Sequence, residues 1–289
     1  MNRVTTFCRL RSALAPAIRP VLQYVPPVRW AALKVLACRQ PAEMEVGGLT
    51  YEVHPADFGV TFEIASTGDY EPVTRAACVA ALHVGMTFLD IGAHVGLFTV
   101  PAAMAVGAEG RVIAFEPDPD NRRLLERNVA RHGLEHVQII NAAVADRGGE
   151  ITLKRSPFNT GDHRIDTRSS ARGVQVPMVA MDDWLSEHQV KPDVIKMDVQ
   201  GAEPLVLRGM RLLLKGDSPL QLFLEFAPAM LRASGADPGS MLRDLEEAGF
   251  EIAIIDERRG GSVASDAEAV MAACPSRSYV NLHCVRGAG

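Results

Sequence analysis

Apolar and polar stretches alternate along most of the chain, and this alternation predicts strands followed by helices. Short, almost wholly apolar runs such as TFLDI (87–91) predict buried strands, and longer segments with apolar residues at helical spacing predict helices. From residue 87 onward the predicted elements are strand 87–91, helix 95–106, strand 111–117, helix 118–132, strand 137–140, strand 193–199, helix 203–214, strand 219–226, helix 238–248, strand 251–256 and strand 279–285. Such an order indicates an α/β fold with a mostly parallel sheet and helices on both faces.

Other segments depart from the simple alternation. Residues 45–64 predict short strands around a turn, the second of them VTFEIA, and residues 70–83 predict a helix. No convincing crossover helix joins the last two strands, so the final strand is predicted to be antiparallel, in a hairpin with its predecessor. EITLKR and GVQVPMVAM predict two extra strands around the polar loop 156–172. A loop of this length fits either a lid over a substrate or a solvated connection.

Composition and charge limit the classes of function. The 289 residues are 47% apolar and 22% charged, which suffices for one full α/β core with extensions. A net charge of −5 argues against general nucleic-acid binding. The five cysteines form no CxxC pair, which argues against a disulfide framework or a zinc site and favours a cytoplasmic protein. No apolar run reaches the ~20 residues that a transmembrane helix needs.

The first 40 residues contain seven basic residues and no acid. This arm has an apolar side that includes Leu10, Leu14 and Ile18, so it could lie on an anionic membrane surface, although four prolines interrupt any long amphipathic helix. It fits equally well a helical arm that packs on the domain or on a second subunit, or a transit peptide. Peripheral membrane contact and homo-oligomer formation therefore both stay open.

The strand at 87–91 leads into a glycine turn and then a helix. Asp90 lies near the end of the strand, and Gly92 and Gly96 lie four residues apart in the turn. Glycines allow a close approach of the backbone to a ligand, and a helix N-terminus offers unpaired N–H groups. Asp90 would repel a diphosphate but not a cationic sulfonium nucleoside, so it favours S-adenosylmethionine over NAD. His94 replaces the middle glycine of the dinucleotide fingerprint, which disfavours NAD further.

Polar residues follow the next two predicted strands as well. Glu116, before Pro117, is about twenty residues beyond the glycine turn, where an acid accepts hydrogen bonds from a ribose diol in Rossmann-type sites. The segment NAAVAD, which begins at Asn141, follows the third strand and is placed to border an adenine. The base would contact either backbone groups of Ala142 and Ala143 or a side chain of Asn141 or Asp146. These acids and amides also have an ordinary structural interpretation as strand ends.

The fourth core strand has three charged residues around its end, Lys196, Asp198 and Glu203. Ligands of open α/β sheets bind outside the carboxyl ends of the strands, and buried charges are costly unless they are paired or used. The alternatives are a role in substrate binding or catalysis, or a structural ion pair. Glu225 ends the fifth strand at the same edge.

Several motifs in this order resemble the FkbM-type methyltransferase family, a group of class I S-adenosylmethionine-dependent enzymes. They are GDYEP (68–72), FLDIGAHVGLFT (88–99), AFEPDPDN (114–121), NAAVAD (141–146), IKMDVQGAE (195–203) with LRG (207–209), and FLEF (223–226). The resemblance implies a Rossmann-like seven-stranded sheet with an antiparallel last strand. It implies three regions, namely a basic N-terminal arm (1–44), N-terminal strands and a helix that pack on the core (45–86), and a class I methyltransferase domain (87–286).

The resemblance also implies roles for individual residues. The implied cofactor-binding residues are Asp90, Gly92, Ala93, Gly96, Glu116, Pro117, Asn141, Ala142, Ala143, Tyr70 and Glu71. The implied residues on the substrate side are Lys196, Asp198 and Glu203, with His94 as a further candidate base. The family usually has asparagine at the position of His94 and an acid at that of Gln200, and the missing acid argues against a metal site.

We therefore expect an S-adenosylmethionine-dependent methyltransferase that acts on a hydroxyl oxygen of a sugar or another small molecule. Candidates for the base are Asp198, His94, Glu203 and, in the polar loop, His163. The alternatives are an NAD-dependent oxidoreductase, a non-catalytic nucleoside-binding module, and a membrane-surface methyltransferase that uses the basic arm to reach a lipid-linked glycan.

Overall fold

The computed structural model describes residues 41–55, 57, 59–156, 159–166, 173–274 and 279–287. These residues form two compact units: one contains the described residues up to Tyr70 and those within 156–161, and the other contains Glu71–Arg155 and the described residues from Asp162 onward. The first 40 residues, with the predicted basic arm, lie outside the described ranges. None of the helices within those ranges is both long and apolar enough to cross a membrane. The predicted boundaries 1–44, 45–86 and 87–286 stay predictions.

The first unit contains a hairpin and a helix. Strands β1 (Glu43–Val46) and β2 (Leu49–Glu52) pair antiparallel, as predicted. The segment VTFEIA is not a strand, because helix α1 spans Val60–Thr67. The side chain of Asp57 accepts hydrogen bonds from the amides of Gly59 (3.1 Å) and Thr61 (2.7 Å), which satisfies donors at the start of the helix. These bonds override the β propensity of the valine, threonine and isoleucine in this run.

Within the described residues, eight strands of the second unit form the main sheet. They are β3 (Thr87–Ile91), β4 (Arg111–Phe115), β5 (Val137–Ile140), β10 (Val194–Met197), β11 (Leu220–Phe226), β12 (Glu251–Ile255), β13 (Ser262–Ser265) and β14 (Val280–Arg286). Their order is β13-β12-β14-β11-β10-β3-β4-β5, and the five strands from β11 to β5 are parallel. The predicted mostly parallel α/β sheet is therefore confirmed.

The last strand is antiparallel, as predicted, but its connection differs from a simple hairpin. Strand β14 lies between β11 and β12 and pairs antiparallel with both. The chain between β12 and β14 includes strand β13, which adds an eighth strand at the edge of the sheet, and helix α10 (Ala267–Ala273). Sequence analysis missed both because β13 (SVAS) is short and exposed, so it lacks an apolar pattern.

The described residues of the second unit form nine helices, six of which fall on predicted helices. They are α2 (Pro72–Ala80), α3 (Thr99–Val106), α4 (Pro119–Arg131), α5 (Met181–His188), α6 (Glu203–Gly209), α7 (Arg211–Lys215), α8 (Pro228–Ala233), α9 (Pro238–Glu247) and α10. The predicted helix 203–214 is two helices, because the backbone leaves helical geometry at Met210. Helices α5 and α8 were not predicted.

A second, four-stranded sheet has the order β6-β9-β7-β8. Its strands are β6 (Ala143–Ala145), β7 (Gly149–Lys154), β8 (Arg164–Asp166) and β9 (Val174–Ala180). The two extra strands predicted around the polar loop are β7 and β9, and the loop itself contributes β8. Residues 157–158 and 167–172 of that loop lie outside the described ranges.

The pleat of the main sheet separates its core from its charged residues. Leu89, Ile113, Ile195 and Leu222 belong to the large hydrophobic cluster. Side chains of neighbouring residues in a strand point to opposite faces. Asp90, Lys196 and Phe223, which are register neighbours on β3, β10 and β11, therefore share the opposite face.

Candidate active site

The turn after β3 is shaped by contacts within the protein. Gly92 has φ +83°, and a Cβ on it would lie 2.0 Å from the carbonyl oxygen of Asp198. The amides of Gly92 and Ala93 both donate to the carbonyl of Phe115, at 3.0 and 3.1 Å. These two N–H groups are thus already used within the sheet, and the expectation of unpaired amides does not apply to them. At Gly96 (φ +92°), a Cβ would lie 2.7 Å from the side chain of Leu125.

Asp90 and Lys196 form a buried charged pair behind this turn. Asp90 is fully buried, and its Oδ2 accepts a hydrogen bond from the Thr99 hydroxyl at 2.6 Å. Its Oδ1 lies 3.9 Å from Lys196 Nζ and accepts no hydrogen bond from any described residue. Lys196 Nζ also lies 3.6 Å from Asp198 Oδ2 and 4.9 Å from the centre of the Phe98 ring.

A small pocket opens at the carboxyl ends of β10 and β11. Its described lining residues are Glu71, Thr74, Lys196, Met197, Asp198, Phe223, Leu224, Glu225 and Asn281. Glu225 and Asn281 face each other across the β11–β14 pairing, and Asn281 donates to the Thr74 hydroxyl at 2.9 Å. Gln200 donates to Asp198 Oδ1 at 2.7 Å and to Glu225 Oε2 at 3.4 Å. Lys196 is the one basic side chain among these described lining residues.

Burial and crowding shift the pKa values in this pocket. Burial, followed by repulsion from Asp198, raises the pKa of Glu71 to about 7. Burial and the carboxylates of Asp198 and Glu71 raise the pKa of Glu225 well above its usual range. Burial alone would lower the pKa of Lys196, but the surrounding carboxylates, led by Asp198 and Asp90, raise it. Lys196 therefore stays charged, and the site favours the protonated forms of Glu71 and Glu225 more than water does.

Glu116 lies at the end of β4, the strand next to β3. Its Oε2 accepts from the His94 amide and its Oε1 from the Asp118 amide, both at 2.8 Å. Burial raises its pKa to about 8 against the opposing effect of these two hydrogen bonds. The two amides fix the orientation of the carboxyl group, and each of its oxygens retains a further lone pair for a ligand.

Asp118 connects the neighbourhood of Glu116 with the polar loop. Its side chain caps α4 by accepting from the amides of Asp120 and Asn121. Its Oδ2 also accepts from Arg155 Nε and lies 3.6 Å from His163 Nε2. The contact with Asp118 thus places His163 beside the N-terminus of α4.

The remaining predicted residues are spread over several places. Glu203 is 2% exposed, and its Oε1 accepts from the amides of Val199 and Gly201, so it holds the turn between β10 and α6. Asn141 is exposed and pairs with Arg122, whereas Ala142 and Ala143 are buried. Pro117 follows Glu116 and is half-buried.

Tyr70 and Glu71 are divided between the two units. Tyr70 belongs to the first unit, where its amide donates to Asp69. Glu71 belongs to the second unit and lines the pocket on the same side as Asp198. His94 adopts φ +52°, and its backbone amide contacts Glu116.

Three polar residues of the described pocket lining are absent from the predicted site residues. Glu225 was noticed only as an acid at the same edge, and Thr74 and Asn281 were not noticed. A polar residue inside the apolar run YVNLHCV is a weak signal for Asn281. Thr74 gives no signal in the sequence, because its contact with Asn281 depends on how the fold brings α2 close to β14. Among the described residues, no cluster of three or more His, Cys, Asp or Glu side chains is arranged to hold a metal ion.

The segment of the chain that contains most of this site matches a known protein family. Residues 90–252 match the model of the methyltransferase FkbM domain. The chain belongs to the FkbM methyltransferase family. It is accordingly an S-adenosylmethionine-dependent methyltransferase.

Three curated relatives of this FkbM methyltransferase differ in how much they share with it. The hexuronic acid methyltransferase AglP of Haloferax volcanii is 28% identical over 222 residues, which is 76% of this chain and 85% of AglP. A probable cobalt-precorrin-6B C(15)-methyltransferase (decarboxylating) of Sulfolobus acidocaldarius is 29% identical over 46% of this chain and 73% of its own length. The 2-O-methyltransferase NoeI of Sinorhizobium fredii is 28% identical over 42% of this chain and 56% of its own length.

The residues of the FkbM methyltransferase site fit its cofactor chemically. S-adenosylmethionine combines a cationic sulfonium and a cationic amino group with a ribose diol. The buried Asp90 has an oxygen without a hydrogen-bond donor among the described residues, and Glu116 presents an oriented carboxyl group on the adjacent strand. A buried carboxylate oxygen that accepts no hydrogen bond from the described residues and an oriented acid on the adjacent strand suit the cationic groups and the ribose diol of such a ligand.

Proposed function

We propose that the enzyme transfers a methyl group from S-adenosylmethionine to a hydroxyl oxygen of a sugar acceptor, and that the acceptor binds in the pocket at the ends of β10 and β11. The observation that supports this most directly is the position of Asp198. Its carboxylate opens onto the pocket, and Lys196 and Gln200 hold it from two sides. The similarity to AglP over most of both chains supports a sugar acceptor, and that to NoeI supports transfer to oxygen.

Asp198 is the proposed base among the pocket acids. Glu71 has a pKa of about 7 and Glu225 a strongly raised pKa, so both tend to be protonated and suit donation to sugar oxygens. Glu203 is committed to two backbone amides. The side chain of Asp198 is 17% exposed, more than that of Lys196 at 9%, so its carboxylate can reach an acceptor hydroxyl.

The proposed cofactor contacts follow from the same geometry. Asp90 would bind the positively charged methionine part, Glu116 the ribose diol, and the segment from Asn141 to Ala143 the adenine. S-adenosylmethionine supplies a methyl group on a positively charged sulfur, which is already a good leaving group. The protein therefore chiefly aligns the acceptor oxygen, excludes water and removes one proton. In the proposed step, Asp198 accepts the proton of the hydroxyl as the oxygen–methyl bond forms.

Asp198→Asn tests the base. The amide keeps the size and the contact with Lys196 but cannot accept the proton, so kcat should fall by about 10²–10⁴-fold. Calorimetric binding of S-adenosylmethionine should change little. Asp266→Asn is the matched control, because Asp266 caps α10 outside the pocket. An unchanged kcat in Asp198→Asn would exclude Asp198 as the base.

The acceptor class needs a separate experiment. The enzyme would be incubated with methyl-labelled S-adenosylmethionine and a panel of neutral sugars, amino sugars, hexuronic acids and non-sugar alcohols, with mass identification of the product. We expect the label on a sugar hydroxyl oxygen. Labelling of carbon or nitrogen, or of the non-sugar alcohols alone, would overturn the proposed acceptor while leaving the methyltransferase family assignment intact.

A further inference from the structure

At the N-terminus of α2, the residue in the N-cap position is not the residue whose side chain caps the helix. Glu71 is at the N-cap position, yet its side chain makes no capping hydrogen bond. It lines the pocket instead, where it shares a hydrogen bond with Asn281 on β14 and interacts with the charges of Lys196 on β10, Asp198 just after β10 and Glu225 on β11. An N-cap side chain ordinarily accepts from the second or third amide of its own helix. Here those amides belong to Val73 and Thr74.

Glu257 takes over the capping role from a distant part of the sequence. Its Oε2 accepts from the Val73 amide at 3.0 Å and its Oε1 from the Thr74 amide at 2.7 Å. Glu257 follows β12, and the turn that contains it is fixed by Asp256, which accepts from the amides of Arg258 and Arg259 at 2.9 and 3.0 Å. One carboxylate thus satisfies both amides that Glu71 would otherwise cap.

The strained backbone of Glu71 indicates that its conformation depends on the capping by Glu257. It adopts φ +41° and ψ +54°, a left-handed conformation that is unfavourable for a residue with a Cβ. Such a conformation persists only where the surroundings fix it. If the two amides lost Glu257, Glu71 could relax into an ordinary N-cap geometry, and its own carboxylate would be drawn out of the pocket towards the helix.

We propose that Glu257 is a positioning residue for the methyl-transfer reaction, which caps α2 in place of Glu71 and thereby holds the Glu71 carboxyl group in the acceptor pocket. The inference rests on the proposed function only in assigning that pocket to the acceptor. Glu257 itself touches no reacting atom; it acts through the first turn of α2.

A double-mutant cycle tests the coupling. Glu257→Ala should lower kcat/KM for the acceptor by about tenfold or more, and in a Glu71→Gln background the same change should cost less than about twofold, because the residue it positions has lost its acid. Glu257→Gln keeps one acceptor oxygen and should recover most of the loss. Equal losses in the two backgrounds would overturn the proposal.

Asp237→Ala is the matched control for lost helix stability. Asp237 caps α9 through the Ser240 amide at 2.9 Å, and it is not among the described residues that line the pocket. It should lower the melting temperature without lowering kcat/KM beyond twofold or so. If Asp237→Ala and Glu257→Ala lost acceptor kcat/KM equally, Glu257 would be a structural cap and not a positioning residue.

A readout without any acceptor separates this proposal from the proposed function. In the parent protein the carboxyl carbon of Glu71, followed by NMR, should titrate near pH 7, since burial and then Asp198 raise its pKa. Glu257→Gln and Glu257→Ala both remove the repulsion that the Glu257 carboxylate exerts on Glu71, so both should lower the midpoint. In Glu257→Ala the midpoint should move further towards the ordinary value of about 4.5, because only there does the side chain leave the pocket. Equal midpoints in the two variants would overturn the role of Glu257 even if no acceptor were ever found.

Discussion

Gly92 illustrates how a single residue in a ligand-binding motif can be required by the protein itself. Its positive φ and the 2.0 Å approach of the Asp198 carbonyl to a Cβ at this position both demand glycine. This carbonyl belongs to Asp198, the residue proposed as the base. The packing of the glycine turn therefore also fixes the position at which the chain leaves β10. Glycine at position 92 is therefore required for the packing of β3 against β10 as well as for the proposed cofactor site.

Gly92→Ala and Gly133→Ala separate these effects. Both glycines have positive φ, but a Cβ at Gly133 meets no atom within 4 Å. Gly133→Ala should therefore cost only the left-handed strain, about 1–2 kcal/mol, whereas Gly92→Ala should cost at least about twice that because β3 and β10 must also separate. Urea denaturation measures both. Equal costs would show that the contact with Asp198 is relieved without strain.

Sequence spacing located some site residues well and others not at all. Asp90, Glu116, Lys196 and Asp198 lie at the ends of apolar strands, and the carboxyl ends of parallel strands meet at one edge, so their proximity follows from the strand assignments. Glu257 is different. It lies in a turn whose approach to α2 depends on the insertion of β14 between β11 and β12, which no local pattern specifies.

At the scale of elements, local hydrogen bonding decided one case that propensity predicted wrongly. The residues of α1 include valine, threonine and isoleucine, which favour strands. The buried Asp57 accepts from the amides of Gly59, Thr61 and Thr160, the last at 2.8 Å, and so ties the start of the helix to the segment 159–161 within the first unit. An aspartate two residues before the N-cap, Gly59, was a usable signal for a helix start that the strand interpretation ignored.

Asp57→Ala should consequently destabilise α1. Three amides would lose their acceptor, and the expected cost is about 2–4 kcal/mol, above the usual loss of a single cap. Hydrogen exchange of peptides that cover Val60–Thr67 would measure the local opening. Thr67→Ala, at the other end of the helix, removes a hydroxyl that bonds to the Glu63 carbonyl and should have a much smaller effect. Equal exchange in the two variants would contradict the capping role.

At the scale of the whole molecule, the second unit buries several acids whose pKa values are raised. Burial is the first cause for Glu71 and Glu203, both near 7, and for Glu116, near 8. The overall net charge of −5 gives no hint of this concentration. Sequence analysis identified acids at strand ends, but the depth of their burial depends on how helices and strands cover them. A methyltransferase that binds a cationic cofactor gains a site whose buried acids can ionise when the ligand arrives.

These buried acids predict how the stability of the ligand-free enzyme depends on pH. Between pH 6.5 and 8 the folded protein gives up protons from Glu71 and Glu203, with pKa values of about 7, and from Glu116, with a pKa of about 8, whereas the unfolded chain has already released them. The free energy of unfolding therefore falls as pH rises, by about 1.4 kcal/mol per pH unit for each proton still held, and Glu116 contributes most above pH 7. The lowered pKa of His283 affects the free energy of unfolding below pH 6.5, outside this window. The raised pKa values of Cys78 and Cys284 affect it above pH 8.5, also outside the window.

Calorimetric melting across this window tests the sign and the source of the effect. The melting temperature of the ligand-free enzyme should fall from pH 6.5 to pH 8, and Glu116→Gln should flatten the dependence because the amide has no proton to lose. S-adenosylhomocysteine should stabilise more at pH 8 than at pH 6.5, since its ribose hydroxyls donate to the ionised form of Glu116. A melting temperature that stays level from pH 6.5 to pH 8 would show that these acids are ionised in the folded protein, and the site would then hold fixed negative charge before the cofactor binds.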